Sequence, residues 1–212
     1  MRYSIKSLRG ISVVAALALL AGCAGGPGGG KSTERRADAN AEVVPIAEET
    51  QREYNDALTL ISVEDHAGAA LILERFVAAH PEYPAAATML AVCLRRLERT
   101  DDALALLQTT LAAHATHAPG WNELGILYRE SGQFTESEAA YLKAVTADPD
   151  YPLAHFNFGI LLDMYLARPE QALEHYERYQ SLTPDEDKQV KRWIADISRR
   201  IQRDTQAAQV TQ

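Results

Sequence analysis

A repeat of about 34 residues constrains this chain more than any other feature. Positions are counted within units that begin at Thr50, Pro84, Ala118 and Pro152. Position 8 then reads Ala57, Ala91, Gly125 and Gly159, all small. Position 20 reads Ala69, Ala103, Ser137 and, after a one-residue insertion in the turn around residues 166–169, Ala172. Position 24 reads Leu73, Leu107, Tyr141 and Tyr176; position 32 reads Pro81, Ala115, Pro149 and Pro184. A unit of this length cannot bury its apolar face alone. Stacked neighbours bury a continuous core, so the period predicts a solenoid.

The third unit, APGWNELGILYRESGQFTESEAAYLKAVTADPDY, shows the internal plan. Trp121, Leu124, Gly125 and Tyr128 share one helical face, Gly132 interrupts, and Phe134, Tyr141, Ala144 and Val145 begin a second period that Pro149 closes. This W-x2-L-G-x2-Y unit resembles the tetratricopeptide repeat (TPR) family. The resemblance implies an all-α, right-handed superhelical solenoid over residues 45–184. Its helix-turn-helix repeats fall at about 50–83, 84–117, 118–151 and 152–186. Helices are expected at about 47–62, 66–79, 84–97, 100–114, 118–131, 134–147, 152–166 and 169–182. The first unit departs most, with Glu53 at position 4 and Asp56 at position 7, and reads as an N-terminal cap starting near Pro45. In the fourth unit His155 stands where Trp121 stood and is expected to be a packing residue.

A ninth helix is expected from Asp185 to about Gln206, within a capping segment 185–212. Val190, Trp193, Ile194, Ile197 and Ile201 make one apolar stripe, and Lys188, Lys191, Arg192, Arg199, Arg200 and Arg203 keep its other faces wet. Such a helix suits the end of a solenoid, whose last repeat would otherwise expose its core.

Residues 1–22 carry a basic start and an apolar stretch from Ile11 to Leu20, which is the layout of a signal peptide. The stretch ends Leu20-Ala21-Gly22-Cys23 and resembles the bacterial lipobox. The resemblance implies cleavage before Cys23, lipidation of its sulfur and acylation of its amine. Several acyl chains give stable anchoring. Ala24, rather than Asp, implies by the same resemblance an outer-membrane lipoprotein facing the periplasm. Residues 23–44 are small, polar and charged, and read as a flexible linker with a reach of roughly 25 Å.

Gly25, Gly30, Lys31 and Ser32 in that linker match the phosphate-cradling pattern G-x-x-x-x-G-K-[ST]. A nucleotide site would need a strand before the loop and a helix after it. The preceding apolar run is a leader, Cys23 intervenes, and an exported protein meets no ATP. A nucleotide-hydrolysing enzyme is the competing reading. The sequence favours no enzyme and no cofactor.

The net charge of −8 and the lack of a basic stripe argue against nucleic acid as partner. The only other cysteine, Cys93, lies among Leu90, Ala91 and Leu94 and reads as a core residue. His114 and His117 have no third ligand near them in sequence, so no metal site is expected.

By resemblance, positions 2, 5, 9 and 12 of each first helix line the inner, concave face where TPR solenoids bind protein, and positions 5, 9 and 12 supply the candidate residues. Here they are Tyr54, Leu58 and Ile61; Thr88, Val92 and Arg95; Asn122, Ile126 and Arg129; and Phe156, Ile160 and Asp163. Apolar residues at position 9 between polar neighbours suit a partner's peptide or helix. The chaperone-type carboxylate clamp needs lysines that these helices lack, and only Asn157 resembles part of it. The layout resembles pilus-assembly lipoproteins that assist an outer-membrane secretin. The stretch from His155 to Ile201 also resembles TPR proteins of TonB/ExbB-ExbD systems. Both imply an interaction scaffold; the partner, the pathway and the oligomeric state stay open.

Overall fold

The computed structural model describes residues 48–184 and 187–210. The leader, Cys23, the linker and the Gly25–Ser32 match lie outside the described residues. The described chain holds nine helices: α1 Glu48–Ser62, α2 His66–Ala79, α3 Pro84–Arg96, α4 Thr100–Ala113, α5 Ala118–Glu130, α6 Phe134–Ala147, α7 Pro152–Met164, α8 Pro169–Leu182 and α9 Lys188–Val210. Each unit pairs a first (A) helix with a second (B) helix: α1 with α2, α3 with α4, α5 with α6, and α7 with α8. Among the described residues none is a strand. The architecture is an all-α solenoid of stacked helix pairs.

The repeat positions explain the pairing. Ala57, Ala69, Ala91, Ala103, Ser137 and Ala172 are fully buried where the two helices of a unit cross. In the first two units position 8 holds a fully buried Ala and position 24 a fully buried Leu. In the last two units Gly takes position 8 and Tyr takes position 24. The rings of Tyr141 and Tyr176 occupy the space a Cβ would need on Gly125 and Gly159. Burying side chains of this size contributes roughly 1.5–3 kcal/mol each. The core accordingly changes character along the stack. Leu and Ala dominate it from Ala57 to Ala140, and Tyr and Phe join Leu, Ile and Val from Tyr141 onward.

Position 4 carries a second repeated device. Trp121 Nε1 donates to the carbonyl of Ala115 at 2.7 Å. His155 Nε2 makes the corresponding bond to Pro149, also six residues back, at 3.0 Å. The imidazole thus replaces the indole as the donor that ties the helix to the preceding turn, and His155 is 8% exposed. Proline at N1 starts α3, α7 and α8, where a missing N–H costs nothing. Each A-to-B turn needs one residue in the left-handed region: Glu64, Glu98, Gly132 and Ala167. Gly132 alone of the four accepts this without steric cost.

Helix α1 ends at Ser62 as expected, and α3, α5 and α7 end one or two residues before the expected boundaries, because the left-handed residue that follows terminates them. The ninth helix begins at Lys188 instead of Asp185. Asp187 caps it, its carboxylate accepting from the backbone N–H groups of Gln189 and Val190 at 2.9 and 3.1 Å. It continues to Val210, past the expected end near Gln206. Val190 and Ile197 are fully buried against the fourth unit, so α9 covers the apolar face of the last helix pair.

Candidate functional site: the inner face of the A helices

Successive A helices touch one another, α3 with α5 and α5 with α7, whereas successive B helices make no contact of comparable extent. The stack therefore curves with its A helices on the inside. Twelve side chains at positions 5, 9 and 12 were expected on that inner face, and the structure divides them by position.

Position 5 is mostly a seam between A helices. Thr88 and Asn122 are buried, 2% and 5% exposed. The Thr88 hydroxyl donates to the Pro84 carbonyl at 2.8 Å and sits 3.0 Å from Nε2 of His117. Asn122 Oδ1 accepts from Asn157 Nδ2 of α7 at 3.0 Å. These two residues are removed from the ligand-contacting set, because the neighbouring repeat covers them. Asn157 is likewise spent within the fold. Tyr54 is half-buried on Phe76, with ring centroids 5.6 Å apart. Phe156 stacks on Trp193 of α9 at 6.0 Å and tilts against Tyr179 at 5.1 Å.

Position 9 forms the accessible apolar line. Leu58, Val92, Ile126 and Ile160 are all half-buried, neither sealed nor fully wet.

Position 12 carries Ile61 and then three charges. Arg95 Nε bonds Glu123 of α5 at 2.6 Å, and its Nη1 reaches Glu130 at 3.4 Å. Burial raises the Glu123 carboxyl and the Arg95 guanidinium opposes that rise. The close contact of two nearly buried groups identifies an ion pair. Asp163 pairs with Arg200 of α9. Arg129 makes no ion pair among the described residues. Arg95 and Asp163 thus tie repeats together, and Arg129 is the open charge.

Position 6 was missed from sequence. Glu123 and Asn157 both reach back to the preceding A helix. A visible signal was the acid at position 6 following a base at position 12 of the unit before.

On the opposite side a cavity of about 530 Å³ opens between the B helices α4 and α6, with α5 as its floor. Trp121, Leu111, Tyr128 and Ala140 line it, and Lys143 Nζ lies 4.1 Å from the Trp121 ring centroid. Among the described residues no group of three or more His, Cys, Asp or Glu could hold a metal. His114 and His117 turn to different partners, the Pro81 carbonyl and Thr88.

A tetratricopeptide repeat family model matches residues 60–127, and a second TPR repeat model matches residues 121–162. No curated protein matches. Among solved structures, PilF of Pseudomonas aeruginosa is 21% identical, with a TM-score of 0.65 over 76% of this chain and 73% of that one. TTC0263, a TPR protein of Thermus thermophilus, is 18% identical, with a TM-score of 0.60 over 72% and 82%. MamA of Desulfovibrio magneticus RS-1 is 22% identical, with a TM-score of 0.52 over 63% and 75%. At these identities the likeness is one of fold.

Proposed function

We propose that this chain, which belongs to the tetratricopeptide-repeat family, is a lipid-anchored scaffold that holds a partner's peptide or helix along the inner face of its A helices. The observation that carries this reading is the line of Leu58, Val92, Ile126 and Ile160. It is apolar, half-buried and repeated once per unit, with polar residues beside it. A segment lying along it would bury apolar area in every repeat it crosses, and its length would set affinity. The reading is non-enzymatic. Cys93 is sealed in the core, and the Thr88 hydroxyl beside His117 is buried in the seam between A helices and donates to the Pro84 carbonyl.

The anchor rests on Leu20-Ala21-Gly22-Cys23. Acylated Cys23 and the linker to residue 44 would confine the repeats to a thin layer facing the periplasm, most simply at the outer membrane. Confinement raises the effective concentration for partners in that layer. Assembly of an envelope complex of the pilus or secretin kind is the setting this layout suits, and the PilF fold is compatible with it.

Mass spectrometry of the protein extracted from membranes tests the anchor. An N-terminal peptide beginning at acylated Cys23 is expected, together with loss of membrane association in Cys23→Ser. An unmodified Cys23 in a membrane-free protein would contradict it. Crosslinking in cells tests the setting. Secretin or pilus subunits are expected, whereas ExbB, ExbD or TonB homologues would move the scaffold to an energy-transducing complex.

A further inference from the structure

Four buried polar side-chain atoms in the described residues have no hydrogen-bond partner, and three belong to one neighbourhood: Nη1 of Arg129, the hydroxyl of Tyr141 and Nε of Arg200. Tyr141 reaches from α6 past the Gly125 gap in α5 and stacks on Phe158 of α7, with ring centroids 5.8 Å apart. Arg129 acts electrostatically on both Tyr141 and Tyr176, and Arg200 and Asp163 act on Tyr176. The fourth atom, on His66, is in the first repeat and outside this group.

All three atoms carry hydrogens to donate, so the shortage is one of acceptors. The surrounding acids are engaged. Glu123 and Glu130 serve Arg95, and Asp163 serves Arg200. Leaving buried donors unpaired costs about 1–3 kcal/mol each, more when the group is charged. Each such group calls for an explanation, and an acceptor brought by a ligand is one.

We propose that Arg129 receives the carboxylate of an acidic side chain from the segment that lies on the inner face. The proposal rests on the peptide-binding reading above and specifies its chemistry. Ile126 lies one turn before Arg129 on α5, and Ile160 holds the matching position 9 on the next A helix. The bound segment therefore carries an Asp or Glu with apolar residues within one helical turn. An internal acid fits better than a chain end. The four A helices contain no lysine to surround a terminal carboxylate, and Asn157 is bonded to Asn122.

The test uses the chain from Cys23 to Gln212 and a phage-displayed library of random dodecapeptides. Selection on the wild type is expected to yield a single Asp or Glu between apolar residues. Selection on Arg129→Gln should keep the apolar residues and lose the acid. Amidated synthetic peptides from the selected pool, carrying Glu or Gln at that place, should differ roughly tenfold in Kd on the wild type and not on Arg129→Gln. Arg129→Lys should retain part of the difference, and circular dichroism should show that both variants are folded. Three results overturn the proposal and leave the peptide reading standing: no acid in the selected pool, an acid preference that survives Arg129→Gln, or preference for a free C-terminus over an internal acid. Selection of no apolar peptide by folded protein overturns both.

Discussion

A Cβ on Gly125 would lie 2.6 Å from Cε1 of Tyr141, and one on Gly159 would lie 2.7 Å from Cε1 of Tyr176. The same crossing in the first two repeats is made by Ala57 over Leu73 and Ala91 over Leu107. One helix pair thus has two solutions, a small residue over a branched chain or no side chain over a ring. Gly125→Ala should cost about 1–3 kcal/mol by overpacking. Gly125→Ala with Tyr141→Leu restores the combination used in the first two repeats. It should recover much of that loss, giving a favourable coupling energy in a double-mutant cycle followed by urea unfolding. Additive losses would show that the ring and the gap are unrelated.

Gly132 tests the backbone alone. Its φ is +75° and a Cβ there would meet nothing within 4 Å. Gly132→Ala should cost about 1 kcal/mol. No neighbouring substitution should rescue it, in contrast to Gly125.

The His155–His175 pair gives the fold a pH dependence. The two Nδ1 atoms are 2.9 Å apart, and His155 Nε2 faces the Pro149 carbonyl. Donation from His155 Nε2 leaves its Nδ1 to accept from His175. Burial, then His155, lowers His175 to about 4, and burial first of all lowers His155. Arg178 opposes protonation of His155, while Asp150 and Asp148 favour it. An unfolded histidine titrates near 6.5. Between about pH 6.5 and 4 the unfolded chain binds more protons, so stability is full above that window and falls as pH drops through it. His175→Gln keeps a donor for His155 and removes one titration. Its melting temperature should decline less than the wild type's between pH 7 and 5.

Cys93 should be inert in the folded protein. It is fully buried, and burial pushes its thiol up to about 11. Iodoacetamide labelling at pH 8 should be negligible without denaturant and rapid in urea. Fast native labelling would place Cys93 outside the core.

Much of this fold was legible because position 8, position 20 and the turn residues recur at fixed intervals, and each recurrence has a steric cause. The inner face was legible in part. Position 9 is half-buried in all four units and keeps its apolar character. Thr88 and Asn122 look like polar surface residues in sequence, yet they lie in the seam between A helices. That burial depends on how closely neighbouring repeats approach, which no single unit encodes. Arg95, Arg129 and Asp163 occupy one repeat position, and their partners decide which charge is left unpaired. Glu123 and Arg200 come from other helices, so the open guanidinium appears only in the folded chain.

The most direct test of the scaffold reading is photocrosslinking in cells, with p-benzoylphenylalanine placed in turn at Ile126, Ile160 and the exposed Leu142 of α6. The account predicts the same crosslinked partner from Ile126 and Ile160, on the inner face, and none from Leu142. A partner captured from Leu142 and absent from both isoleucines would contradict it.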